Sequence, residues 1–239
     1  MIAYIKPKII LLDDDQPLLE VIHYYFTEQF ENHVDLISFS NSNDFLSYIE
    51  KYCYLTDSPL EIISSFYEGN RSRGAAEKTL KDLSVLSATI VLDHELREEK
   101  ITGIELSNQI RQYYPSSFIS MLTSNVHSDE AIKLHNNHDI DVFVDKKNTD
   151  AIHILYTFLS KHIKEQENSF MLDSTDIFNN TDILNSIDYT EQKNLLLENI
   201  APISFLTLNE NGDIAILNKS SHVYFWRYTP SEKRFVAYE

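Results

Sequence analysis

Between residues 8 and 162 the chain alternates short apolar runs with longer segments of helical periodicity. The runs Lys8–Leu12, Val34–Phe39, Ala88–Leu92, Phe118–Leu122 and Asp141–Asp145 are too short for helices and read as strands. After the first run, Leu18, Leu19, Ile22, Tyr25 and Phe26 recur at helical spacing. Helices are likewise predicted over Asp44–Tyr54, Gly103–Tyr114, Asp129–Asn136 and Asp150–Lys164. Consecutive parallel strands need a crossover helix. Five such units therefore predict an α/β fold, a five-stranded parallel sheet with helices on both faces.

Two stretches break the rhythm. Residues 55–86 form an over-long connection that contains Gly69-Asn-Arg-Ser-Arg-Gly74, and helical pieces are expected inside it. Residues 165–190 carry six acids and no Lys or Arg, and read as a polar linker with two capped helix starts. A second reading is a docking segment, because Phe170, Ile177 and Leu184 recur every seven residues. The last fifty residues form a small α+β module. It has a helix over Thr190–Asn199, a hairpin around Asn209-Glu-Asn-Gly212, and strands over His222–Tyr228 and Phe235–Tyr238. The expected domains are thus 1–162 with an insertion at about 55–86, a linker over 163–189, and a module over 190–239.

Charge narrows the function. Asp+Glu number 37 against 20 Lys+Arg, a net charge of −17, which disfavours nucleic acid and anionic membrane as partners. A basic recognition helix is missing from the C-terminal end. The four glycines include no GxGxxG, and Gly69 to Gly74 lacks the Lys and Ser/Thr of a phosphate loop. The single cysteine, Cys53, excludes an intrachain disulfide and a multi-cysteine zinc site. The N-terminus lacks a signal-peptide layout, so a cytoplasmic location is expected. His135 and His138 have metal-like spacing but fit a solvated helix face.

Ligands of parallel α/β sheets bind beyond the carboxyl ends of the strands. In sequence order those ends carry Asp13 and Asp14 with Asp15 beside them, then Asp93, then Thr123 followed by Ser124, then Lys146. One Asp after a strand is ordinarily a turn starter or cap. Four such positions in this order point to a shared acidic and basic pocket.

The pieces IILLDDDQPLLEVI, ATIVLDHEL, TGIELSNQIR, ISMLTSN and IDVFVDKK closely resemble the receiver domain of two-component response regulators over about 1–162. The resemblance implies a flavodoxin-like sheet and a role in phosphorelay signal transduction. It implies that Asp93 is the phosphoacceptor and that Asp13 and Asp14 are the acidic Mg2+ pair. Asp14, Asp93 and the carbonyl of Glu95 would ligate Mg2+ directly, and Asp13 through water. Thr123 would be the switch hydroxyl, Lys146 the phosphate-binding lysine and Phe143 the switch aromatic. The implied partners are a sensor histidine kinase or phosphotransfer protein and an output protein, with self-association on the face around the fifth strand. Departures are a longer loop after Asp93, Thr102 in place of the usual Asp before Gly103, and Lys147 in place of the usual Pro. Glu95 and Asn125 flank the phosphorylation site and are expected to tune phosphate lifetime. Two other readings are a receiver that works without phosphorylation, and a haloacid-dehalogenase-like phosphatase with Asp13 as nucleophile. The second would need a later acidic metal residue, for which Asp150 is the nearby candidate.

Overall fold

The computed structural model describes residues 3–31, 33–52, 59–69, 71–86, 88–96, 101–113, 117–124, 139–169, 177–200 and 202–238. The helix expected over 129–136, with His135 and His138, lies outside them, as do Cys53, Asn125 and Phe170. The chain divides into two compact units. An α/β unit comprises 7–56 and 88–165, and an antiparallel unit comprises 1–6, 57–87 and 166–239.

In the α/β unit the strands are β2 (Lys8–Leu12), β3 (Asp35–Phe39), β4 (Ala88–Leu92), β5 (Phe118–Thr123) and β6 (Val142–Asp145). All pair in parallel, in the order β3-β2-β4-β5-β6. Numbered by βα unit this is 2-1-3-4-5, the flavodoxin-like order. Successive residues of a strand face opposite sides, so continuous apolar runs serve two cores. Ile9 and Leu11 pack with Ile22 and Phe26 of α1 (Gln16–Phe30) and Leu155 and Leu159 of the helix Ala151–Ser169. Ile10 and Leu12 pack with Phe45 and Ile49 of α2 (Ser42–Tyr52) and Leu106 and Ile110 of the helix Gly103–Tyr113. In chain order these last two helices are α5 (Gly103–Tyr113) and α6 (Ala151–Ser169). The expected strands agree with those found to within a residue at most ends.

The antiparallel unit has five strands, ordered β1-β7-β8-β9-β10. They are β1 (Ala3–Ile5), β7 (Ser204–Thr207), β8 (Ile214–Leu217), β9 (Val223–Thr229) and β10 (Arg234–Tyr238). Helices α3 (Pro59–Glu68) and α4 (Arg73–Leu86) supply Ile63, Phe66, Leu80 and Leu83 to a core with Leu206, Ala215 and Leu217. Helix α7 (Ile187–Ile200) sets Leu196, Leu197 and Ile200 against Phe205, Ile214 and Ile216, the other side of the same strands. The Tyr67 hydroxyl donates to the Thr207 carbonyl at 2.8 Å, and the Ser204 hydroxyl to the Leu80 carbonyl at 3.3 Å.

These units redraw the expected domain borders. The helical pieces foreseen in 55–86 are present as α3 and α4, but they pack with the C-terminal sheet. Residues 3–5, read as part of the first domain, pair with β7 as an edge strand. Part of the supposed linker is also core: Phe178 is 5% and Leu184 9% exposed. Apolar residues spaced through a polar stretch were buried by a sheet that sequence periodicity does not reveal. No helix among the described residues is long and apolar enough to cross a membrane.

Candidate phosphoacceptor site

The ladder carries on past the strands and brings the acids side by side. Leu12 is in register with Leu92, the Asp93 N–H donates to the Leu12 carbonyl at 2.8 Å, and the Asp13 N–H donates to the Phe39 carbonyl at 3.2 Å. Asp13 is 3% exposed and Asp93 5%. Carboxylate oxygens of Asp13, Asp14 and Asp93 all lie within 4.8 Å of one another.

The three consecutive aspartates have separate tasks. Asp13 accepts the Asp15 N–H at 2.9 Å and points into the cluster. Asp14 is half-buried in the same cluster. Asp15 caps α1, accepting the Leu18 N–H at 3.1 Å, so it satisfies a helix donor.

Lys146 supplies the counter-charge. Its Nζ is 2.6 Å from Asp13 Oδ2 and 2.8 Å from Asp93 Oδ2. Burial pushes the Asp13 carboxyl above its ordinary range; the Lys146 hydrogen bond pulls it down and the Asp93 charge pushes it up again. For Lys146, burial favours the neutral amine, but the hydrogen bonds and charges of Asp13 and Asp93 outweigh it and raise the ammonium. Three carboxylates against one ammonium leave the pocket strongly negative. An all-oxygen donor set of this kind fits a hard divalent cation such as Mg2+.

Thr123, 1% exposed, ends β5, and its carbonyl accepts the Lys146 N–H at 3.0 Å. Phe143 lies on β6, partly buried against the core that includes Leu12 and Leu92. Glu95 is exposed on the loop after Asp93. Asp150 is exposed in front of α6 and stands outside the one acidic group that could hold a metal among the described residues.

Two of the three departures near the site have local explanations. Lys147 donates its N–H to Asp145 Oδ1 at 2.8 Å, a bond that proline could not make. Thr102 and Glu105 form a reciprocal cap at the start of α5: the Thr102 N–H donates to Glu105 Oε2 at 2.8 Å, and the Glu105 N–H to Thr102 Oγ1 at 3.3 Å. Sequence reasoning missed the importance of Gly103. A Cβ there would lie 2.2 Å from the Asp93 carbonyl oxygen, so only glycine lets the loop close on the acid. The glycine was visible in the sequence, but the approach is a long-range contact.

The doubly wound sheet in this strand order is the flavodoxin-like fold. No family model matches the sequence, and no curated protein does. Solved structures to which the chain is similar include response regulators and receiver domains. The Legionella pneumophila response regulator LqsR is 14% identical at a TM-score of 0.48, with 94% of this chain covered; the chain spans 66% of that protein. A putative Vibrio parahaemolyticus Luxo repressor receiver domain is 16% identical at 0.47, covering 69% of this chain and 95% of that one. A Clostridium thermocellum receiver domain is 16% identical at 0.45, covering 69% and 99%.

Proposed function

We propose that the chain is a response regulator that accepts a phosphoryl group on Asp93. The single observation that carries this reading is the Lys146 ammonium held between Asp13 and Asp93 at the carboxyl edge of a parallel sheet. Asp13, Asp14 and Asp93, with the Glu95 carbonyl, would hold Mg2+. When bound, that ion neutralises charge on the transferring phosphoryl group, which is the main demand of this chemistry.

Asp93 acts as a carboxylate nucleophile. One of its oxygens attacks the phosphorus of a phosphohistidine on a kinase or phosphotransfer protein. The P–N bond breaks, the imidazole leaves with the electron pair and takes a proton from solvent, and an acyl phosphate forms on Asp93. Hydrolysis reverses the modification: water attacks phosphorus, the P–O bond to Asp93 breaks, and inorganic phosphate leaves. Lys146 exchanges its contact with Asp93 for one with a phosphoryl oxygen. Thr123 donates its hydroxyl to another. Movement of Thr123 draws in the loop after β5 and lets Phe143 turn inward. This changes the surface offered to an output protein or a second copy.

Treatment of the purified chain with acetyl phosphate and Mg2+, followed by intact-mass measurement, tests the reading. One phosphoryl adduct is expected in the wild type and none in Asp93→Asn. Absence of an adduct would favour a receiver that acts without phosphorylation. Turnover of a phosphomonoester that depends on Asp13 and is indifferent to Asp93 would favour the phosphatase; against it stand Asp150 outside the cluster and Asp93 inside it.

A further inference from the structure

Phosphoryl chemistry leaves unused a set of arginines and aromatic rings at one edge of the antiparallel sheet. Strand β10 ends the sheet and pairs only with β9 among the described residues. No other described main-chain group bonds to Arg234–Tyr238. Val236 is opposite Arg227 and Tyr238 opposite Phe225. Alternation along the strands then puts Arg234, Val236 and Tyr238 on the same face as Phe225 and Arg227.

Helix α4 opens over this face and adds Arg73. Its guanidinium carbon is 4.7 Å from the Tyr238 ring centre and 5.2 Å from that of Phe225. Arg227 is 4.9 Å from the same Tyr238 ring. A chain of net charge −17 thus puts three of its six arginines on one sheet face. Two of the three have a carboxylate partner among the described residues. Asp213 is 3.9 Å from Arg227 and already accepts the Tyr228 N–H and the Asn209 amide. Glu232 pairs with Arg234. Arg73 has no carboxylate partner among the described residues. Val236 is 43% exposed beside them.

We propose that β10 is a docking strand for an extended acidic segment of a partner protein. The segment pairs with the free main-chain edge as a sixth strand and sets its carboxylates against Arg73, Arg227 and Arg234, with an apolar contact on Val236. A second copy of the chain is the poorer occupant. Pairing β10 with β10 would bring the same arginines together, and opposed like charges are how exposed edges resist self-pairing. Single-stranded nucleic acid is also poorer, because the Tyr238 and Phe225 rings on which bases would stack are already in contact with guanidinium groups.

The test uses the full chain with three probes: a labelled synthetic alternating Glu-Val peptide, its Lys-Val counterpart, and oligothymidylate. Anisotropy is expected to show the Glu-Val peptide binding on the order of tenfold tighter than the Lys-Val peptide, and weakening with salt. Hydrogen exchange of the amides at 234–238 is expected to slow. The double change Arg73→Glu with Arg227→Glu should weaken binding on the order of tenfold or more. The milder Arg227→Gln, at a side chain 64% exposed, should weaken it in a protein whose circular dichroism is unchanged. Equal binding of the two peptides, binding without protection at 234–238, tighter binding of oligothymidylate, or self-association through this edge would each overturn the proposal.

Discussion

The two sheets differ in where their polar residues can gather. In the α/β unit all five strands run the same way, so all their carboxyl ends lie on one edge. Asp13, Asp93, Thr123 and Lys146 meet there although they are far apart in sequence. In the antiparallel unit alternate strands end on opposite edges, and the turns are busy holding hairpins together. Asp213 shows the difference. It is a buried carboxylate like Asp13 and Asp93, 8% exposed, but it accepts the Tyr228 N–H at 3.1 Å and is consumed by structure. Buried Asp13 and Asp93 instead share one ammonium with a third carboxylate nearby, an arrangement that could hold a metal ion.

The contrast breaks most sharply at Asp93. Replacement by Asn should abolish phosphoryl incorporation with little effect on the unfolding midpoint, as read by intact mass and thermal melting. An equivalent change, Asp213→Asn, should lower the midpoint and leave incorporation intact. If Asp213→Asn abolished incorporation in folded protein, the division of labour would be wrong.

Leu80 is fully buried in the core of the antiparallel unit. Leu80→Ala should cost about 3 kcal/mol in that unit, read from denaturant unfolding. The surviving folded protein should still accept a phosphoryl group.

Magnesium sharpens the comparison from the other side. At a hundredfold excess over Kd it should stabilise the folded chain by about 2.7 kcal/mol. Asp13 has its folded pKa raised, so folding favours its protonated form. Without metal, the contribution of Asp13 to stability is lost as pH rises from the ordinary carboxylate range through the raised value. Mg2+ needs the carboxylate, so its affinity should rise with pH over that same window. Melting with and without Mg2+ at pH 5 and pH 7 checks both signs, and Asp13→Asn should flatten the metal's pH dependence.

The smallest effect concerns the hairpin. Gly212 has φ +85°, and a Cβ there would lie 2.4 Å from Cε2 of Tyr189. Gly212→Ala should cost roughly 1–2 kcal/mol through strain in the turn, with incorporation on Asp93 unchanged.

Much of the α/β unit was legible because its signals are local. Each strand is a short, mainly apolar run, and four of the five are closed by a polar residue of the candidate site. Asp13, Asp14, Asp93, Thr123 and Lys146 could be picked out because position after a strand, residue type and order all agree. The antiparallel unit was legible only in part. Asn209 to Gly212 marked its first hairpin, and the last strands were visible. The membership of 3–5, α3, α4 and Phe178 was not, because these segments reach the sheet from three separate stretches of chain. Their amphipathic faces say that they must be covered, without saying by what.

The sequence by itself determined the βα rhythm, the two-sided burial of the parallel strands and the chemical kinds of residue at their carboxyl ends. Those follow from side-chain period and residue type, which a linear chain displays in full. Tertiary structure alone decided that Lys146 reaches both Asp13 and Asp93, that Gly103 touches the Asp93 carbonyl, and that an insertion and a supposed linker complete the second unit. Each of these depends on distances between segments remote in sequence, and such distances arise only when the cores close.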